Sequence, residues 1–148
     1  MFSVIIPVYR NAEFVPELIA AFGRIAESVI RHHDSGIEFV FVVDGSPDDS
    51  YALLRDALPK APFASQLVSH SRNFGSFAAI RTGLQAARGD YFGIIAADLQ
   101  EPPELLLSFL EHLVKGEHDI VIGTRATRDD PALTSLSANL FWRSKASR

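Results

Sequence analysis

An α/β fold, with a mainly parallel sheet covered by helices on both faces, is the class this sequence predicts. β-rich runs alternate with helix-like segments, joined by short breaks, along the 148 residues. Such alternation builds parallel sheets with helical crossovers. The most apolar runs, Ile37–Val43 and Tyr91–Ala97, are strand-length and nearly continuous in character, as strands buried on both faces are. Polar residues gather just after each strand-like run, where open sheets of this kind bind ligands.

The elements follow in order. Phe2–Val8 is a compact β-rich run closed by the polar turn Tyr9-Arg10-Asn11-Ala12. Phe14, Leu18, Phe22, Ile25 and Val29 then recur at four, four, three and four residues, a helical stripe ending near Gly36. Ile37–Val43 is a second strand that stops at Asp44-Gly45-Ser46. Ser46 reads as a helix cap with Pro47 as first helical residue, Asp48 and Asp49 in the first turn, and Pro59 and Pro62 as breakers. Gln66–His70 is a weaker third strand, and Asn73–Arg88 an Ala-rich helix. Tyr91–Ala97 is the fourth strand. Pro102-Pro103 opens a helix carrying Leu105, Leu106, Phe109, Leu110 and Leu113, stopped by Gly116. Asp119–Ile122 is expected to be a fifth strand, and Leu133, Leu136 and Leu140 mark a last amphipathic helix.

Length and composition bound the function. Residues 1–148 form a single domain, large enough to bury a core unaided. Hydrophobic residues make up 47% and charged residues 22%, the balance of a globular domain. The absence of cysteine removes disulfide scaffolds, thiolate catalysis and Cys-based zinc sites. A net charge of -4 and no basic cluster exclude a nucleic-acid binder working by phosphate neutralisation. No run approaches the ~18 apolar residues of a membrane span, and no basic region precedes the first apolar run as in a signal peptide. A cytoplasmic domain is the expectation.

The strand ends carry the chemistry. Tyr9-Arg10-Asn11, Asp44-Gly45-Ser46, His70 to Gly75, Asp98 to Pro103, and Gly123-Thr124-Arg125 all fall on the expected ligand edge. They offer acids for ribose hydroxyls or a metal, arginines for phosphates and an aromatic ring for a base. A dinucleotide fold needs a glycine-rich first turn, and Tyr9–Ala12 has no glycine. A P-loop needs a Gly-Lys pair, and none exists. A diphosphate bridged by a divalent cation to an acid after the fourth strand is left, a pairing that suits Mg²⁺ or Mn²⁺. Taken singly, the same residues have plainer roles: Asp44 to Pro47 a turn and cap, Arg72 and Arg125 solvated surface, Tyr9 an edge of the core. The five histidines show no metal-ligand spacing, and His32-His33 reads as a helix end.

Taken together, three segments point to a family. Ser3-Val4-Ile5-Ile6-Pro7-Val8-Tyr9, Val43-Asp44-Gly45-Ser46-Pro47-Asp48 and Ala97-Asp98-Leu99-Gln100-Glu101-Pro102-Pro103-Glu104 resemble, in order and spacing, the family 2 glycosyltransferases. The similarity covers essentially the whole chain. Ser71-Arg72-Asn73-Phe74-Gly75 with Asp98 to Glu104 looks most like the polyprenyl-phosphate (dolichol- or undecaprenyl-phosphate) sugar transferases.

The resemblance implies a Rossmann-like GT-A domain, a nucleotide-diphosphate sugar donor with UDP favoured, Mg²⁺ or Mn²⁺, and inversion at the sugar carbon. It implies a lipid-phosphate or glycan acceptor, and work at the inner face of the membrane in the full-length enzyme. Carried over residue by residue, Pro7 and Tyr9 line the base pocket, Asp44 contacts base or ribose, and Ser46 lies beside it. Arg72, Asn73 and Gly75 belong to the loop closing on the nucleotide. Asp98 matches the last acid of the family's Asp-x-Asp metal motif, Gln100 the sugar end, and Arg125 a position facing the diphosphate or an acceptor phosphate. Two departures stand out. Ala96 replaces the first motif acid, which weakens metal binding, and Val43 replaces one of the paired acids after the second strand. Family members also run longer. The resemblance therefore implies a truncated, donor-binding part whose general base lies past Arg148, with self-association through the exposed edge a further expectation. A non-catalytic nucleotide-binding or interaction module is the alternative.

Overall fold

The computed structural model describes residues 1–33 and 36–124. Four strands, β1 (Phe2–Val8), β2 (Ile37–Val43), β3 (Ala64–Ser69) and β4 (Tyr91–Ile94), form one parallel sheet in the order β3-β2-β1-β4. Four helices, α1 (Val15–His33), α2 (Ser50–Ala57), α3 (Ser76–Ala86) and α4 (Leu105–Val114), accompany them among the described residues. The strand order reverses between β1 and β4. The loops at the carboxyl ends of these two strands therefore part and leave a crevice there.

Burial explains why β1 and β2 are nearly continuous apolar runs. On one face Phe2, Val4, Ile6 and Val8 meet Phe39, Phe41 and Val43 under α1, α2 and α4. The α1 stripe of Leu18, Phe22, Ile25 and Val29 is fully or almost fully buried there. Phe22 stacks on Phe39 at 4.6 Å between centroids, and Phe63 meets Phe39 edge-on at 4.7 Å. Each such side chain contributes roughly 1.5–3 kcal/mol by leaving water. On the other face Val40 and Val42 pack with Ala79 of α3. Gly83 brings α3 close, since a Cβ there would lie 2.4 Å from Ile5 Cγ2.

One buried polar network closes the amino end of the sheet. Glu38, 3% exposed, accepts from Ser3 Oγ at 2.7 Å, Gln66 Nε2 at 3.1 Å and Arg88 N at 2.7 Å. Ser3 Oγ accepts in turn from Gly89 N at 2.8 Å. Three strands and the turn before β4 are thus joined through one carboxylate.

Four expected boundaries are corrected. Ser46 does not cap a helix, which starts at Ser50 with Asp49 as its cap residue, because the Ser46 and Asp48 side chains are drawn to the loop after β1. The Ala-rich helix starts at Ser76, not Asn73, after Gly75 turns the backbone at φ 95°. β4 ends at Ile94, although Ile95 N still donates to Ile5 O at 3.2 Å. Asp119–Ile122 is not a strand. It has no ladder partner among the described residues, and Ile120 and Ile122 are 76% and 77% exposed. The helix expected around Leu133, Leu136 and Leu140 lies outside the described residues.

Candidate functional site

The crevice at the switch point is a cleft of about 330 Å³. Pro7 and Tyr9 after β1, Asp44 after β2, Asn73 and Gly75 before α3, and Asp98 after β4 all line it. The sheet brings together side chains as far apart in sequence as Pro7 and Asp98 because all three of these strands end on the same side. Asn11, Ser76 and Ala96 also line the cleft. Asn11 was legible as a polar strand-end residue, and its Oδ1 accepts from Tyr9 N at 3.0 Å.

The wall after β1 is held by side chains that follow β2. Ser46 Oγ accepts from Arg10 N at 2.7 Å, Ser50 Oγ from Asn11 N at 3.1 Å, and Asp48 Oδ2 from Ala12 N at 3.0 Å. Ser46 also donates to Asp48 Oδ1 at 2.6 Å. Burial would raise the Asp48 carboxyl. The hydroxyls of Ser46 and Ser50 and the N–H groups of Ala12 and Ser50 outweigh it and bring the pKa down to about 2. Asp48 and Ser50 are thus structural partners of the cleft. The sequence shows only a Ser/Asp-rich helix start there.

The opposite wall is built on Asp44, 3% exposed. Its Oδ1 accepts from Phe74 N at 2.9 Å and its Oδ2 from Gly75 N at 2.7 Å. His70 Nδ1 lies 2.8 Å from Oδ1, and His70 Nε2 lies 2.9 Å from Thr82 Oγ1. An ionised carboxylate only accepts, so Nδ1 carries a proton, and in the neutral ring Nε2 accepts from the Thr82 hydroxyl. Burial pushes the Asp44 carboxyl up, but donation from Phe74, His70 and Gly75 holds it below its ordinary value. Gly45 makes the approach of the two loops possible: at φ +58°, a Cβ there would come 2.1 Å from Arg72 C and 2.4 Å from Asn73 N. The Arg72 guanidinium lies over the Phe74 ring, 4.4 Å from its centroid.

Asp98 stands at the rim. Its Oδ1 accepts from Gln100 N at 3.2 Å, which leaves lone pairs on both oxygens for another partner. Leu99 follows at φ 55°, a turn that brings the Gln100 amide back onto the Asp98 carboxylate. One carboxylate beside a cleft, with Ala96 adjacent, fits a hard divalent cation that takes its other ligands from phosphate oxygens and water.

Three expected site residues fall elsewhere: Arg72 lies over the Phe74 ring and does not line the cleft. Gln100 lines a second, larger cavity of about 700 Å³, bounded by β4, by Leu106 and Phe109 of α4 and by residues 119–124, and does not line the cleft. Ser46 acts on the β1 loop rather than lining the cleft. Arg125 lies outside the described residues. The histidines bear a correction too: His112, Glu117 and His118 bring ligand atoms within 4.8 Å of one another, although their sequence spacing gave no sign of it.

Known proteins agree with this architecture. A protein 35% identical over 130 residues is the undecaprenyl-phosphate 4-deoxy-4-formamido-L-arabinose transferase of Pseudomonas savastanoi pv. phaseolicola, covering 88% of this chain and 37% of that protein. The chain thus spans little more than a third of the length of the curated relatives it matches. TarS of S. aureus in complex with UDP-GlcNAc superposes with a TM-score of 0.63 at 20% identity, over 88% of this chain and 36% of that one. The mannosyltransferase PcManGT of Pyrobaculum calidifontis, in complex with GDP-Man and Mn²⁺, superposes with a TM-score of 0.57 at 26% identity, over 82% of this chain and 33% of that one. The fold is that of the GT-A glycosyltransferases. The family model for Glycosyl transferase family 2 matches residues 3–146, and with the parallel sheet and its switch-point cleft this establishes that the chain belongs to glycosyl transferase family 2.

Proposed function

We propose that this chain is the donor-binding part of an inverting transferase that moves a sugar from a nucleotide diphosphate, UDP by preference, to a polyprenyl phosphate or glycan acceptor. The observation that carries the reading is the cleft itself. The Asp98 carboxylate, with one hydrogen bond from Gln100 N, lines the cleft together with Tyr9 and Asn73 at the switch point of a parallel sheet. Pro7 and Tyr9 form the base wall and Asn73 and Gly75 the wall over the nucleotide; the family resemblance assigns Arg72 and Arg125 to the diphosphate, while Gln100 lines the other cavity. Asp44 contributes by holding the Phe74 and Gly75 amides in place. Mg²⁺ or Mn²⁺ would be held by Asp98 and, when bound, supplies charge to the leaving diphosphate. In the transfer, an acceptor oxygen forms a bond to the sugar carbon from the face opposite the diphosphate. The bond to the diphosphate oxygen breaks, and the nucleoside diphosphate leaves with the electron pair. A phosphate acceptor is already an anion and needs no base; a hydroxyl acceptor would give its proton to one. The name of the Pseudomonas relative supports the polyprenyl-phosphate acceptor, and with it a site of action at the inner face of the membrane. No helix among the described residues is long and apolar enough to cross that membrane.

A second reading is favoured by one observation: Ala96 stands in the cleft beside Asp98, where the motif has its first acid. In that reading the chain binds nucleotide without turnover. Calorimetric titration with UDP, GDP and dTDP, each with Mn²⁺ and with EDTA, separates the outcomes. Binding of one nucleotide that needs Mn²⁺ and fails in Asp98→Ala supports the donor site. Absence of binding by all three overturns it, and binding without turnover in the presence of acceptor favours the second reading.

A further inference from the structure

We propose that His112, Glu117 and His118 form a separate site for a borderline divalent transition cation, Zn²⁺ being the best match, at the carboxyl end of α4. The ligand atoms of the three side chains lie within 4.8 Å of one another. A cation equidistant from three points that far apart stands about 2.8 Å from each. Zinc needs ~2.0–2.2 Å to imidazole nitrogen and carboxylate oxygen, so each ligand must close by less than an ångström, within reach of a side-chain rotation.

Local structure builds this arrangement. α4 ends at Val114, and Gly116 turns the chain at φ 70° while its N–H donates to Leu113 O at 3.0 Å. Nothing lies within 4 Å of a Cβ placed on Gly116, so its glycine serves the backbone conformation and not a close approach. The turn folds Glu117 and His118 back towards His112, whose ring centroid is 6.2 Å from that of His118. None of the three side chains donates or accepts a hydrogen bond or joins an ion pair among the described residues. Their ligand atoms are therefore uncommitted. Residues 111–119 carry Glu111, Glu117 and Asp119 against Lys115, a local field that attracts cations.

The donor set selects the ion. Two imidazoles and one carboxylate suit Zn²⁺, Co²⁺ or Ni²⁺, whereas Mg²⁺ takes oxygen ligands only. The site is also distinct from Asp98. α4 runs about 15 Å back from the cleft end of β4 over its ten residues. A bound cation would tie the end of α4 to the stretch 119–124 that borders the larger cavity.

The test is titration of the chain with ZnCl₂ in chelator-free buffer, against a colorimetric zinc indicator, with circular dichroism confirming the fold of each variant. One Zn²⁺ per chain is expected, with affinity at least tenfold weaker in His118→Ala and in Glu117→Gln, and unchanged in His32→Ala/His33→Ala and in Asp98→Ala. Millimolar Mg²⁺ should not compete. Absence of saturable binding overturns the proposal, as does binding that survives His112→Ala/His118→Ala or disappears with Asp98→Ala.

Discussion

Replacing Asp48 with Asn isolates the charge that holds the loop after β1. The carboxyl is lowered from 3.8 to about 2, and at ~1.36 kcal/mol per unit that shift is worth about 2 kcal/mol at neutral pH. The folded-state value is the lower one. The stabilisation is therefore present in full well above the unfolded value of 3.8 and is lost as pH falls through 2. Linkage gives about 2 kcal/mol at pH 7 and about 1 kcal/mol at pH 3. Asn keeps one accepting oxygen and turns a donor towards either Ser46 or the Ala12 N–H, so part of the interaction survives. A loss of about 2 kcal/mol at pH 7 is expected, or roughly 4–8 °C in Tm. Urea denaturation followed by circular dichroism at pH 7 and pH 3 reads it. The gap between the two proteins should narrow by about 1 kcal/mol at the lower pH. An unchanged gap, or a loss below about 0.5 kcal/mol at pH 7, would refute the argument that ionised Asp48 pins the loop.

Two further substitutions probe the other wall and the far end of the sheet. Gly45→Ala places a Cβ 2.1 Å from Arg72 C at a φ of +58°. It should cost roughly 2–5 kcal/mol by strain and backbone displacement, and a thermal melt within 2 °C of the parent would contradict the close approach. For Glu38, burial raises the carboxyl but donation from Arg88 N, Ser3 and Gln66 leaves it below 4.5. Its ionised form therefore stabilises the fold above that pH and less so as the pH falls. Glu38→Gln should lose about 1–3 kcal/mol at pH 7 and speed hydrogen exchange at Arg88 and Gly89; exchange unchanged at both amides would count against the network.

The elements with strong local signals were legible in the sequence. β1 and β2 run from Phe2 to Val8 and Ile37 to Val43, as the apolar runs indicate, and the α1 stripe buries the residues its spacing selects. Some of what the sequence does not reveal depends on a side chain's distant partner. Ser46 has the composition of a cap, yet a backbone amide 36 residues away, at Arg10, takes its oxygen. Asp44 reads as a ligand-facing acid and lines the cleft, while its pairing with His70 and the Phe74 and Gly75 amides exists only after two loops meet. His112, Glu117 and His118 are close in the chain, but only the positive φ at Gly116 turns them towards one another. Periodicity records which face a residue occupies, and it carries no information on which loops will touch.

The position of β1 in the sheet has a consequence for synthesis in time. β1 is an inner strand, and its neighbours are far downstream: Phe2 pairs with Ile37 on one side and Tyr91 on the other. At roughly 5–20 residues per second, the second edge waits on the order of 5–20 seconds for its partner. For that interval a nascent segment with six of its seven residues buried in the finished fold has open hydrogen-bonding groups along one side. Slow codons between Ser69 and Tyr91 would lengthen the wait, and holding chaperones that recognise short apolar strands would be expected to bind this chain during translation at β1.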